Sequence, residues 1–174
     1  MLQAGDIIDL GPIGAKFYIK KTGAETAGQS FEMEWELAPK TGGTPIHVHP
    51  QAAETYEVLE GKLDVYVNGE WRSLSAGERV RVEPGAPHTF RNSSADAVRV
   101  YNTHEPAMRF DQYFEGLGRL TSRGIISSQR MTPKVILHLA LLMTSHEEEI
   151  ISVKPPHLLM RIFGRIGRSL GYQI

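Results

Sequence analysis

Between residues 30 and 37 the chain alternates strictly. Phe31, Met33, Trp35 and Leu37 are apolar, and Ser30, Glu32, Glu34 and Glu36 between them are polar. A period of two sends successive side chains to opposite faces, which predicts a half-buried strand whose glutamates form a solvated face opposite basic neighbours. Shorter stretches of strand character recur at residues 7–8, 16–21, 46–49, 54–60, 63–67, 71–74, 80–82, 88–90 and 97–103. Turn chemistry separates them: Asn68-Gly69 is a hairpin signal, Glu83-Pro84-Gly85-Ala86-Pro87 a stiff turn, and residues 92–96 a polar one. Many short strands at close spacing predict an all-β sandwich or barrel, and closure removes exposed strand edges.

From Pro106 the apolar period lengthens to about 3.6. Phe110, Tyr113, Phe114, Leu117 and Leu120 share one helical face, with Gly124 as a stop. Thr132-Pro133 reads as an N-cap followed by proline at the first helical position, opening a helix to about Glu149. Pro155-Pro156 breaks the chain before a last helix. There Leu158, Leu159, Ile162, Phe163, Ile166 and Leu170 lie on one side, and Arg161, Arg165 and Arg168 on another. Gly164 and Gly167 weaken this helix, and its apolar side is expected to pack against the barrel or a sister subunit rather than a membrane. The predicted class is therefore mainly β: a barrel domain over residues 1–105, followed by a helical extension over residues 106–174.

Composition changes this picture little. A formal net charge of −1 gives no general reason to expect nucleic acid or an anionic membrane as partner. The chain has no cysteine, so no disulfide framework or thiolate site is expected. Its start lacks a basic segment followed by an apolar run, and the longest apolar run, 135–143, is too short to span a bilayer. A cytoplasmic protein is the resulting expectation.

The candidate chemistry sits in His47-Val-His49-Pro-Gln-Ala-Ala-Glu54, completed by His88. Residues i and i+2 of a strand leave the same face, so His47 and His49 point together. Pro50 ends that strand, and residues 50–53 form a connection that lets a second strand bring Glu54 back to the imidazoles. Three imidazoles and a carboxylate suit a divalent transition metal, whether iron, manganese, nickel, copper or zinc. Tyr56 and Phe90 are candidate walls of a substrate pocket. Gln51 reads as a surface residue, His104 as structural or exposed, and His138 as a core histidine on an apolar helix.

Two stretches resemble the cupin motifs. Residues 41–61 resemble the first, with His47, His49, Glu54 and Gly61 in place and Thr41 where the opening glycine usually stands. Residues 77–92 resemble the second, through Gly77, Pro84-Gly85, His88 and Asn92, with Glu83 where proline is usual. The resemblance implies a jelly-roll barrel with His47, His49, Glu54 and His88 projecting into its mouth, in a small single-domain cupin similar to quercetin-dioxygenase-like proteins. It also implies homodimerisation. Four protein ligands leave one or two positions open on a five- or six-coordinate metal, which leads to a dioxygenase-like oxidoreductase acting on a small organic substrate. A weakly held Glu54 would then act as general base. A metal-assisted isomerase or decarboxylase, and a non-catalytic small-molecule binder, are the alternatives on the same residues.

Overall fold

The computed structural model describes residues 1–174. The strands are β1 (Ile7–Leu10), β2 (Ala15–Lys21), β3 (Phe31–Leu37), β4 (Ile46–Val48), β5 (Ala53–Glu60) and β6 (Lys62–Val67). They continue with β7 (Glu70–Ser75), β8 (Arg79–Val82), β9 (His88–Arg91) and β10 (Val98–Glu105). Helices α1 (Phe110–Ser122) and α2 (Pro133–Thr144) follow, then strand β11 (Ile151–Lys154) and helix α3 (His157–Ser169). The strands form two antiparallel sheets, one ordered β1-β2-β3-β10-β5-β8 and the other β11-β4-β9-β6-β7. The fold is the mainly β one that the periodicity predicts.

Strand β3 shows why these residues pack as they do. Phe31, Met33, Trp35 and Leu37 are buried in the core between the sheets. On the other face Glu34 meets Lys20 at 2.9 Å and Arg99 at 3.0 Å, and Glu32 meets Lys21 at 3.3 Å. Such exposed pairs add little stability each, but they keep the glutamates out of the core. In the β6–β7 hairpin, Asn68 and Gly69 both take positive φ, 51° and 102°, as a tight turn matching strand twist requires.

The C-terminal part departs from the predicted series of helices. Helix α2 starts as expected, with Thr132 Oγ1 accepting from the Val135 N–H, but it ends at Thr144, five residues earlier than the apolar pattern implied. Ile151–Lys154 then extends as β11 and pairs with β4, placing Ser152 opposite His47. Helix α1 sets Phe114 on the buried rings of Phe31 and Phe17, both at 5.6 Å between centroids. The glycines of α3 serve close approach to α2. A Cβ on Gly164 would stand 2.5 Å from Thr144 Oγ1, and one on Gly167 would stand 3.1 Å from the Leu137 carbonyl oxygen. The apolar side of α3 stays largely uncovered in the single chain. The face of α3 that packs is Met160, Gly164 and Gly167, while Leu158, Ile162, Ile166 and Leu170 are 42–70% exposed.

Candidate metal centre

His47 and His88 face each other as direct partners on the adjacent strands β4 and β9. His49 follows β4 by one residue, and Glu54 projects inward from β5, the strand opposite His104 of β10. The two sheets therefore contribute ligands from both sides. Donor atoms of His47, His49, Glu54 and His88 all lie within 4.8 Å of one another, and all four residues are buried.

Each imidazole is anchored through its far nitrogen. Nδ1 of His47 lies 2.9 Å from the Pro45 carbonyl oxygen, Nδ1 of His88 2.8 Å from that of Ala86, and Nδ1 of His49 2.6 Å from that of Glu149. A carbonyl only accepts, so Nδ1 carries the proton and Nε2 is left to face the centre. This carbonyl-backed tautomer is the arrangement a metal-ligating histidine needs. Glu54 Oε2 sits 2.8 Å from His88 Nε2 and 3.1 Å from His49 Nε2. Two unprotonated nitrogens beside one carboxylate oxygen call for either added protons or a cation between them. The donor set, its burial and its backing all fit a divalent transition metal, and the same set does not choose among iron, manganese, nickel and zinc.

The electrostatics follow from crowding. Burial, with the neighbouring His88 and His49, pushes His47 well below the ordinary imidazole range. Burial opposes the charged form of His88 too, but the hydrogen bond to Glu54 and its charge outweigh that, and His88 is raised. Burial alone would raise Glu54; the surrounding imidazoles His104, His49 and His88 reverse this and hold it well below the usual carboxylate range.

Comparison with known proteins agrees with this geometry. The family model described as "Cupin domain" matches residues 33–104. Residues 33–104 of the chain form a cupin domain. Among solved structures, an RmlC-like cupin from Shewanella frigidimarina NCIMB 400 superposes with a TM-score of 0.51 at 21% identity, covering 62% of this chain and 88% of that one, and so shares the fold. The HTH-type transcriptional regulator PuuR of Escherichia coli (strain K12) is 27% identical over 106 residues, 61% of this chain and 56% of that protein. Quercetin 2,3-dioxygenase of Bacillus subtilis (strain 168) is 33% identical over 69 residues, 40% of this chain and 20% of that protein. The matched region of this cupin thus spans about half of the regulator and a fifth of the dioxygenase.

Around the four candidate ligands, this cupin has further residues that the pattern reading missed. Asn102 Nδ2 donates to Glu54 Oε1 at 2.9 Å, and His104 Nε2 lies 3.4 Å from the same oxygen. Asn102 therefore steadies Oε1 of Glu54, the oxygen turned away from His49 and His88 Nε2. His104 is buried rather than exposed: it is 1% exposed, with its ring 4.0 Å from that of Phe110 in α1. Burial holds it neutral, down to about 3, against the pull of the Glu54 charge. The signal was present, since Val98, Val100, Asn102 and His104 share one parity along β10 and Val98 and Val100 are plainly inward. Glu149 was read as part of a helix, yet it lies buried in the turn between α2 and β11, where Arg109 donates to both of its carboxylate oxygens at 3.1 and 3.3 Å.

A chamber of about 530 Å³ opens on His47, His49 and Glu54. Phe90 lines it. Tyr56 lies outside its lining, fully buried against Trp35, Phe90 and His88. Roughly half of the lining comes from beyond residue 105, so α1, α2 and α3 supply the far wall. His138 stacks on Tyr172 at 4.2 Å, away from the centre. No helix is long and apolar enough to cross a membrane.

Proposed function

We propose that this protein is a metal-dependent oxidoreductase of the dioxygenase kind, with His47, His49, His88 and Glu54 as ligands and a small organic molecule as substrate. The observation that carries the reading is the convergence of three carbonyl-backed imidazoles and one carboxylate at the buried end of a chamber. A bound divalent metal would supply Lewis-acid polarisation of a donor oxygen and, if redox-active, electron transfer with dioxygen. The remaining work falls to the chain. Its walls exclude water from the reacting groups. Glu54 rests as a carboxylate, the form a metal ligand needs, and Asn102 fixes Oε1 so that Oε2 faces the imidazoles. The partial similarity to quercetin 2,3-dioxygenase supports this reading over a metal-assisted isomerase or decarboxylase.

The similarity to a transcriptional regulator favours a second reading, a cupin that binds a small molecule without turning it over. Elemental analysis of untagged protein beside His47→Ala and Glu54→Ala, followed by oxygen uptake on the metal-loaded protein, separates the two. Stoichiometric metal lost in both variants, with substrate-dependent oxygen uptake, supports the oxidoreductase. Absence of metal after anaerobic reconstitution with iron, manganese, nickel and zinc sinks it. The exposed stripe Leu158, Ile162, Ile166 and Leu170 supports homodimerisation through α3 as part of the same proposal, and sedimentation of Ile162→Glu against the parent checks it.

A further inference from the structure

The chamber is chemically lopsided. Most of its polar side chains gather at the inner end, where His47, His49, Glu54, Asn102 and His104 meet, and Ser128 and Lys154 are the polar side chains contributed from beyond residue 105. Beyond them the wall is hydrocarbon and aromatic, and 21 of the 33 lining residues are hydrophobic. Trp35, Leu117, Val135, Met143 and Met160 are buried members of that wall, drawn from both the barrel and the helices. Apart from the histidines, the one cationic lining residue is Lys154, which is exposed. A small polyanionic substrate would find no buried lysine or arginine to pair a second carboxylate, and would leave the apolar wall wet. The volume falls in the range of sites that enclose drug-sized organic molecules.

We infer that the ligand is a predominantly hydrocarbon molecule with one oxygen-donor head, bound with the head at the His47–His49–Glu54 end and the body along the wall made with α1, α2 and α3. The inference rests on the metal reading for the head and on the chamber alone for the body. Straight-chain hydroxamates from acetohydroxamate to decanohydroxamate, titrated by calorimetry into nickel-loaded protein, test both parts at once. Affinity should rise about fourfold for each added methylene, the gain from moving it out of water. Leu139→Asp, at a half-buried wall position, should reduce that gain while acetohydroxamate binds as before. Met160→Trp, which fills the wall instead of charging it, should shorten the chain length at which the gain stops. Equal affinity across the series overturns the hydrocarbon assignment. Should acetohydroxamate itself fail to bind, the metal reading is at fault, and the body is then tested with n-alkanols on the metal-free His47→Ala protein. A rise in affinity with chain length there upholds the apolar chamber, and a flat series rejects it.

Discussion

His47 and His88 give their Nδ1 protons to carbonyls two residues upstream, Pro45 and Ala86, whereas His49 gives its own to Glu149, a hundred positions away. The first two supports come with the strands that carry the ligands. The third depends on the C-terminal region, and Arg109 clamps the Glu149 side chain from the turn before α1. Two imidazoles are oriented by local chain geometry and one by tertiary structure. A barrel alone would thus present an incomplete centre, with His49 free to turn.

The largest way to break that contrast is to remove a locally supported ligand. His88→Ala should abolish stoichiometric metal binding while the barrel still folds, read by elemental analysis beside circular dichroism. If metal is retained at full occupancy, His88 is not a ligand. The distant support is tested by Arg109→Ala, which leaves every candidate ligand in place. Metal affinity should weaken about 10- to 100-fold, the usual cost of losing a residue that orients a ligand. Competition with a chromophoric chelator measures it, and unchanged affinity would show that the tail does not steady His49.

A finer test uses acid. Below about pH 6.5 an unfolded chain takes up a proton at position 104, whereas the folded one resists it until about 3. A group whose folded value is depressed in this way lends stability above the unfolded value, and that stability is lost as pH falls, by about 1.4 kcal/mol per unit. His47, also pushed down by burial, acts in the same sense, while the raised His88 acts in the opposite one. Thermal melts of metal-free protein between pH 6.5 and 4.5 should therefore fall less steeply in His104→Phe than in the parent. Parallel curves would mean that His104 takes up its proton in the folded state.

The smallest expected effect is at the α2–α3 contact. Gly164→Ala gains about 1 kcal/mol of helix propensity but drives a methyl to 2.5 Å from Thr144 Oγ1, which already donates to the Ala140 carbonyl. Overpacking of this kind costs about 1–3 kcal/mol, leaving a net loss of about 1 kcal/mol and a melting temperature a few degrees lower. A higher melting temperature would show that the two helices part easily.

The same contrast explains what the sequence made legible. The alternation of β3, the Asn68-Gly69 turn and the parity that pairs His47 with His49 are local regularities, and local regularities survive in a string of letters. Glu54 could be joined to them through the connection at Pro50, and the resemblance to the cupin motifs is what implied that His88 shares their barrel mouth. Strand β11 was hidden because Ile-Ser-Val-Lys is too short to show a period, and Pro155-Pro156 beside it reads as a break. The role of the Glu149 carbonyl has no side-chain signature at all. Gly164 and Gly167 were visible only as weak helix formers, because what makes them necessary is the backbone of another helix.

The hundred residues between His49 and Glu149 also set an order of events during synthesis. At elongation rates of about 5–20 residues per second, the nascent chain would expose His47, His49, Glu54 and His88 several seconds before Glu149 leaves the ribosome. Throughout that interval the centre has its donors but lacks the support for one of them, so on the proposed function tight metal capture would wait until β11 has docked beside β4.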